Sequence, residues 1–197
     1  MRRKEQGFTL IELAVVLAII AVLAAILTPL VTGYLDQARI ARAQGDARTI
    51  ADSIKLYQRD TGRWPIYTSA ANYLSNTVSD GTHNIFAGPG NAPTDTAAWG
   101  LSTTTATTGL ESWINGNFTG VSTTNSFPKA AFRGPYLAHL DTDPWGNQYL
   151  LNAGNLTNAF HAFVISAGPN GSLETAKNQT NTTPITIGGD DIISVID

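Results

Sequence analysis

Between residues 8 and 31 the chain is apolar almost without a break: only Thr9, Glu12, Thr28 and Pro29 interrupt the run, and residues 13–27 hold no polar side chain. As a helix at about 1.5 Å per residue this stretch spans roughly 36 Å, enough to cross the roughly 30 Å hydrocarbon core of a bilayer. The run therefore predicts a transmembrane helix. Arg2, Arg3 and Lys4 stand just ahead of it, and positive charge on that flank predicts a cytoplasmic amino end. An ordinary secretory signal has a shorter apolar region, about 7–15 residues, with its small-residue cleavage site after it. Here the small residue, Gly7, comes before the run. A cut at Gly7 would remove a basic leader and leave the whole apolar helix on the mature chain.

The order Gly7-Phe8-Thr9-Leu10-Ile11-Glu12 followed by that run closely resembles the class III leader of type IV pilins and type II secretion pseudopilins. The resemblance implies that a membrane prepilin peptidase cuts after Gly7 and N-methylates the new terminus at Phe8. Glu12 carries a physical constraint of its own, because an ionised carboxylate in hydrocarbon is costly and usually has a partner. It could snorkel, being one turn from the new terminus. The resemblance implies instead that it pairs with the Phe8 amine of a neighbouring subunit and sets axial register during assembly. Pro29 deletes one helical hydrogen bond and clashes with the preceding turn. A kink or local melting over residues 25–29 is expected, or else a simple membrane-exit boundary. In filaments of the resembling family the segment before the matching proline loosens, which lets packed subunits stretch.

Nine of the twelve basic residues lie at or before Arg63 and nine of the fifteen acidic residues after it, so residues 1–63 sum to +3 and the remainder to -6. That asymmetry suggests a basic, membrane-proximal stalk carrying an acidic, solvent-facing head. Charged residues make up only 14% of the chain, well below the roughly 25% of an ordinary soluble domain. This composition argues against a nucleic-acid binder. The absence of cysteine excludes a disulfide framework, a thiolate nucleophile and any Cys-ligated metal.

Beyond the membrane run, Ala43, Ala47, Ile50, Ala51, Ile54 and Tyr57 recur at the three-and-four spacing of one helix face. Arg42 with Asp46, and Arg48 with Asp52, add oppositely charged surface neighbours. Thr61, Gly62 and then Pro65 supply termination signals, so the helix should continue from the membrane segment and stop near Asp60. Such a helix, of about 52 residues, is roughly 78 Å long. The rest of the chain cannot bury it. Its amino half must therefore find apolar neighbours in lipid or in other copies of itself, and filament formation follows from burial. Residues 56–67, ending in Arg63-Trp64-Pro65-Ile66-Tyr67, also resemble the end of the pseudopilin helix, with a Tyr, an Asp-X-Gly turn and an aromatic-Pro pair in order.

Residues 66–127 hold twenty Ser or Thr, seven Gly and no Lys or Arg. They read as a glycine-punctuated, largely surface insertion with short strands at most, for example over residues 112–114. The functional alternative is an exposed display surface for adhesion or glycan attachment. Asn-X-Ser/Thr acceptors at Asn117, Asn155, Asn178 and Asn181 do not carry a glycosylation reading, because a chain rich in Asn and Thr makes several by chance.

In residues 140–151 Pro144 presets a turn and Gly146 can take positive φ before a strand begins at Asn147. A second strand over residues 160–166 alternates well enough to pair with it. Asp143-Pro144-Trp145-Gly146-Asn147, with Tyr149 and a hairpin after it, resembles the pseudopilins of type II secretion, the major one above all. The loop that follows in those proteins is matched by Ser166-Ala167-Gly168-Pro169-Asn170-Gly171 and Gly189-Asp190-Asp191-Ile192. Asp190 and Asp191, with oxygen donors near Asn170 and Ser172, could form a hard-oxygen calcium site that ties the carboxyl end to the hairpin. The resemblance implies calcium in this loop. The chain departs from the family where Asn170 stands in place of a common Asp, and residues 174–188 look like an insertion. The alternative is two surface aspartates in a turn.

His83, His139 and His161 are scattered without metal-ligand spacing, and no nucleophile elbow, phosphate-binding loop or dinucleotide fingerprint is present. Asp141 and Asp143 flank a turn and read as rigidifying it rather than as an acid-base pair. The expected protein is not an enzyme. It is an α+β, pilin-like chain whose long amino-terminal helix packs, over its second half, on a small antiparallel sheet. The expected divisions are a leader (1–7), a transmembrane and assembly helix (8–31), its amphipathic continuation (32–62), an insertion with loops (63–139) and a sheet with a carboxyl-terminal loop (140–197). The resemblance implies a subunit of a helical homo-oligomeric pseudopilus that supports type II secretion. Its partners would be a prepilin peptidase, minor pseudopilins, and an inner-membrane platform with its ATPase. It would start as a single-pass inner-membrane precursor with a periplasmic head. The competing reading is a type IV pilin for adhesion, motility or DNA uptake, which the leader does not separate from the first. A bitopic membrane protein that never polymerises is the third.

Overall fold

A computed structural model describes residues 7–62, 64, 85–97, 99, 101, 106–108, 110–115, 133–157 and 159–196. The leader residues 1–6, the Pro65 stop signal, His83, Asn117 and most of the insertion lie outside the described residues. The chain forms two units, Met1–Arg39 and Ile40–Asp197. Helix α1, Leu10–Thr61, contributes to both.

In the first unit α1 presents Leu, Ile and Val on every side, and the large apolar side chains from Phe8 to Leu35 are more than half exposed. This is the one helix among the described residues that is long and apolar enough to cross a membrane. Residues 25–29 are helical, with Pro29 inside α1, so the melting expected there is not present in this state. Hydroxyls bond back into the helix on either side of the proline: Thr28 Oγ1 donates to the Ala24 carbonyl at 2.7 Å and Thr32 Oγ1 to the Pro29 carbonyl at 3.0 Å. Neither reaches the Ala25 carbonyl, the one whose helical partner the proline removes.

In the second unit the six apolar positions of the amphipathic face, Ala43, Ala47, Ile50, Ala51, Ile54 and Tyr57, are all buried. Arg42 pairs with Asp46 at 3.4 Å. The helix ends at Thr61, where the Gly62 N–H donates to the Gln58 carbonyl at 2.7 Å.

The strands are β1 (Ile85–Ala87), β2 (Thr94–Asp95), β3 (Ala106–Thr108), β4 (Leu150–Leu151), β5 (Phe163–Ser166), β6 (Ser172–Leu173) and β7 (Ile192–Val195). A second helix, α2, covers Leu110–Ile114. Five strands form one sheet in the order β3-β1-β4-β5-β7, antiparallel except for the β3–β1 pair, while β2 and β6 pair in parallel apart from it. Side chains alternate across a strand, and the register carries that alternation through the sheet. Phe86, Leu151 and Val164 stand in line and pack with Ala47, Ile50, Ala51 and Ile54 of α1. On the opposite face Ala87, Leu150 and Ile165 are in line and join Trp99, Phe163 and Leu173 in a second core.

Three expectations change here. The stretch 66–127 is not merely surface: β1 is buried throughout, and Trp99, Leu110 and Ile114 are core residues. A strand buried on both faces reads as a short apolar run without alternation, which is why periodicity did not expose it. The short strand expected over 112–114 is instead the end of α2. The hairpin is shorter than expected at both starts, because Asn147 and Phe160 make only isolated bridges to Asn91 and Thr180, and β4 and β5 begin at Leu150 and Phe163.

Candidate functional site

At the amino end, Gly7, Phe8 and Thr9 precede the first helical residue. Thr9 is the cap. Glu12 Oε2 accepts the Thr9 N–H and the Thr9 hydroxyl, both at 2.8 Å, and the Glu12 N–H reaches back to Thr9 Oγ1 at 3.3 Å. This reciprocal arrangement is a capping box, with the Glu at the third helical position answering the orphan amide of the cap. The Thr-x-x-Glu spacing was readable in the sequence. It gives Glu12 a local partner within its own chain, to which any pairing with a neighbouring subunit is added.

The second candidate site lies where β5 ends and β7 begins. Antiparallel pairing sets Ser166 opposite Ile192, so the residues just after β5 and just before β7 are brought together by sheet register. The turn at residues 143–147 supports them from below. Buried Asp143 accepts the Trp145 and Asn147 N–H groups on Oδ1, at 3.0 and 2.7 Å, and the Ser166 hydroxyl on Oδ2 at 2.7 Å. Ser166 Oγ in turn accepts the Gly168 N–H at 3.2 Å. Asp143 therefore rigidifies the turn, as its position suggested, and extends that rigidity to the next loop. Gly146 takes φ 89° as expected. Gly168, at φ 65°, is needed for a second reason: a Cβ there would come within 2.3 Å of the Asp190 carbonyl oxygen.

Of the four residues expected to bind calcium, the structure joins Asn170 to Asp190 directly, since the Asn170 N–H donates to Asp190 Oδ2 at 3.0 Å. Asn170 Oδ1 accepts the Ser172 N–H at 2.6 Å. Asp191 is buried, and its Oδ2 accepts the Glu174 and Thr175 N–H groups at 2.9 and 2.6 Å. Burial pushes the Asp191 carboxyl above the usual carboxylate range, with those donors opposing the shift only in part. Asp190 Oδ1 and Asp191 Oδ1 are both buried without a hydrogen-bond partner, and an unmatched buried carboxylate oxygen calls for an ion or a water. The donor chemistry, two carboxylate oxygens and amide and carbonyl oxygens nearby, suits a hard cation. Among the described residues no three His, Asp or Glu side chains converge on one point.

Sequence reasoning missed Glu174, whose Oε2 accepts Asn170 Nδ2 at 3.2 Å. It also missed the brace supplied by residues 94–99. Thr94 donates to the Gly171 carbonyl at 2.9 Å, and buried Trp99 donates through Nε1 to the Thr175 carbonyl at 2.7 Å. Asn170-Gly171-Ser172 is a further Asn-X-Ser acceptor. Of the other acceptors, Asn155 is buried with Nδ2 donating to the His161 and Lys177 carbonyls, whereas Asn178 and Asn181 are exposed. His139 stands at the surface between Asp141 Oδ1 at 3.0 Å and Glu111 Oε2 at 3.6 Å.

Residues 2–28 match the family model described as the prokaryotic N-terminal methylation motif. The chain carries the N-methylation motif of type IV pilins. The chain is similar to the type II secretion system core protein G of Pseudomonas aeruginosa, 28% identical over 84% of this chain and 86% of the relative. It is 26% identical to the protein of the same name from Escherichia coli, over 90% of this chain and 91% of the relative. The type IV major fimbrial protein FimA of Dichelobacter nodosus is 34% identical over 47% of this chain and 61% of its own length. No solved structure matches the chain. The long helix on a small sheet agrees with the pilin-like α+β fold, and the relatives favour a pseudopilus subunit. None of these names denotes an enzyme.

Proposed function

We propose that the chain is a structural subunit of a type II secretion pseudopilus, polymerising through its amino-terminal helix. The observation that carries this reading is the exposed apolar half of α1 behind a methylation motif, in a chain whose similarity to core protein G runs over 84% to 90% of its length. A helix apolar all round is stable only in lipid or among its own kind. Cleavage after Gly7 by a prepilin peptidase and methylation at Phe8 prepare it for both. Glu12 pairs with the Phe8 amine of the next subunit, and the Pro29 segment gives the packed helices slack. Minor pseudopilins, an inner-membrane platform and that platform's ATPase complete the machine. The precursor sits in the inner membrane with its head in the periplasm.

In this reading Asp190 and Asp191 hold calcium, with oxygens near Asn170 and Ser172 completing the set. The ion supplies the positive charge that the two unmatched carboxylate oxygens lack, and so fastens the start of β7 to the end of β5.

The type IV pilus reading draws on the fimbrial relatives, at 34% and 37% identity over 47% and 40% of this chain. Imaging of the surface of native cells, with an export assay after deletion of the gene, separates the readings. Loss of protein export without long surface fibres supports the pseudopilus, and abundant surface fibres built from this chain overturn it. A mature product that still begins at Met1 in cells that contain the peptidase overturns both.

A further inference from the structure

The sequence contains two Asn-Gly pairs, Asn115-Gly116 and Asn170-Gly171. An asparagine followed by glycine is open to loss of its side-chain amide, because no Cβ obstructs the approach of the glycine nitrogen to the asparagine Cγ, and Asn is counted among the thermolabile residues. The structure treats the two pairs differently. Asn115 is fastened at both ends of its amide: Oδ1 accepts the N–H groups of Tyr136 and Leu137 at 2.9 Å each, and Nδ2 donates to the Leu137 carbonyl at 2.5 Å. Asn170 is exposed, in the turn that follows β5. Its Oδ1 accepts one donor, the Ser172 N–H at 2.6 Å, against the two that hold Asn115 Oδ1. Its Nδ2, the group to be expelled, donates to Glu174 at 3.2 Å, and the attacking Gly171 nitrogen is held by a 3.3 Å bond to the Gly168 carbonyl. That last bond is at the long end for an N–H donor.

We infer that Asn170 is a site of spontaneous deamidation whose product adds a carboxylate to the loop of Asp190 and Asp191. The Gly171 nitrogen gives up its proton and bonds to Asn170 Cγ. The Cγ–Nδ2 bond breaks, and the nitrogen leaves as ammonia with that proton. Water then opens the cyclic imide to aspartate or isoaspartate. Water is the only co-reactant, and nothing is oxidised or reduced.

The aspartate product has an oxygen where Nδ2 now donates, facing Glu174 Oε2 across the present 3.2 Å, while Asp190 Oδ2 lies 3.0 Å from the same residue's backbone nitrogen. Negative groups this close repel one another, and a divalent cation relieves the repulsion. More charged ligands also bind calcium more tightly. Deamidation therefore tightens cation binding by the loop. This consequence rests on the calcium reading above, whereas the deamidation itself does not.

The test uses the purified full chain in detergent, aged and then mapped by peptide mass spectrometry. The peptide containing residue 170 should gain the mass difference between O and NH, while that containing residue 115 keeps its amide. The inference is overturned if residue 170 stays intact while the same peptide, cut free, converts completely, or if residue 115 converts equally fast. Calorimetric titration with calcium then compares N170D and N170Q with the unaged chain. N170D should bind about tenfold more tightly than N170Q; equal affinities remove the carboxylate's role. Conversion at 170 with no calcium binding by any form would refute the calcium reading and leave the deamidation site standing.

Discussion

The Asp143 carboxylate and the Ser166 hydroxyl meet at 2.7 Å in a fully buried contact that links the turn before β4 to the end of β5. The remaining oxygen of Asp143 holds two backbone amides, so Asp143→Ala leaves three donors without their acceptor. The expected cost is about 2–4 kcal/mol, against about 1 kcal/mol for Ser166→Ala. Urea unfolding of the full chain followed by head fluorescence measures both. Equal and negligible losses would show that the contact is incidental.

Chelation provides a second prediction. With both unmatched oxygens on adjacent aspartates, calcium should raise the melting temperature of the head and EDTA should lower it. No response to chelator means that the loop does not use the ion. In EDTA the pH dependence should also carry the mark of Asp191, whose carboxyl is raised by burial. In the window above the ordinary Asp range the folded chain binds more protons than the unfolded one, so stability falls as pH rises through that window.

At the alkaline end the indicator is Tyr149. Burial, and then the nearby Asp46 carboxylate that accepts its hydroxyl at 3.2 Å, push this phenol far above the ordinary value of a tyrosine. The unfolded chain loses this proton near the ordinary value while the folded chain keeps it. Stability should therefore fall as pH rises beyond that value, and Tyr149→Phe should flatten the decline. A variant with an unchanged alkaline limb would contradict the assignment.

The two faces of α1 should respond unequally to truncation. Ile54 is wholly buried, whereas Leu56 is 38% exposed. Ile54→Ala should cost about 2–5 kcal/mol and Leu56→Ala under about 1 kcal/mol. Comparable losses at both positions, read from denaturant midpoints, would mean that the helix presents a different face to the sheet.

Glu12→Ala should leave membrane insertion intact and abolish incorporation into filaments. Fractionation measures the first and filament yield the second. Normal yield from this variant would confine Glu12 to its bond with Thr9.

The helix was legible because its information is local: six apolar positions on one face and a Thr61-Gly62 stop need no knowledge of the rest of the chain. The meeting of the 143–147 turn with the Asp190 loop was readable only as two motifs, since the register opposing Ser166 to Ile192 is set by strands far apart in sequence. Strand β1 escaped notice for a related reason. Its three residues have no period of their own, and they become a strand only by lying between β3 and β4. Trp99 looked like part of a Thr-rich surface stretch, yet its indole fills the second core against Phe163 at 5.7 Å between ring centres. The Thr9 cap went unread, although the Thr-x-x-Glu spacing that makes it is local.

Because Thr9 starts the helix at Leu10, a chain cut after Gly7 keeps two non-helical residues, Phe8 and Thr9, ahead of its first turn. The liberated amine then rides on a short tether rather than on the rigid cylinder. Its reach covers a small arc, and a methyl group or a neighbour's carboxylate can be met without unwinding any of the membrane segment.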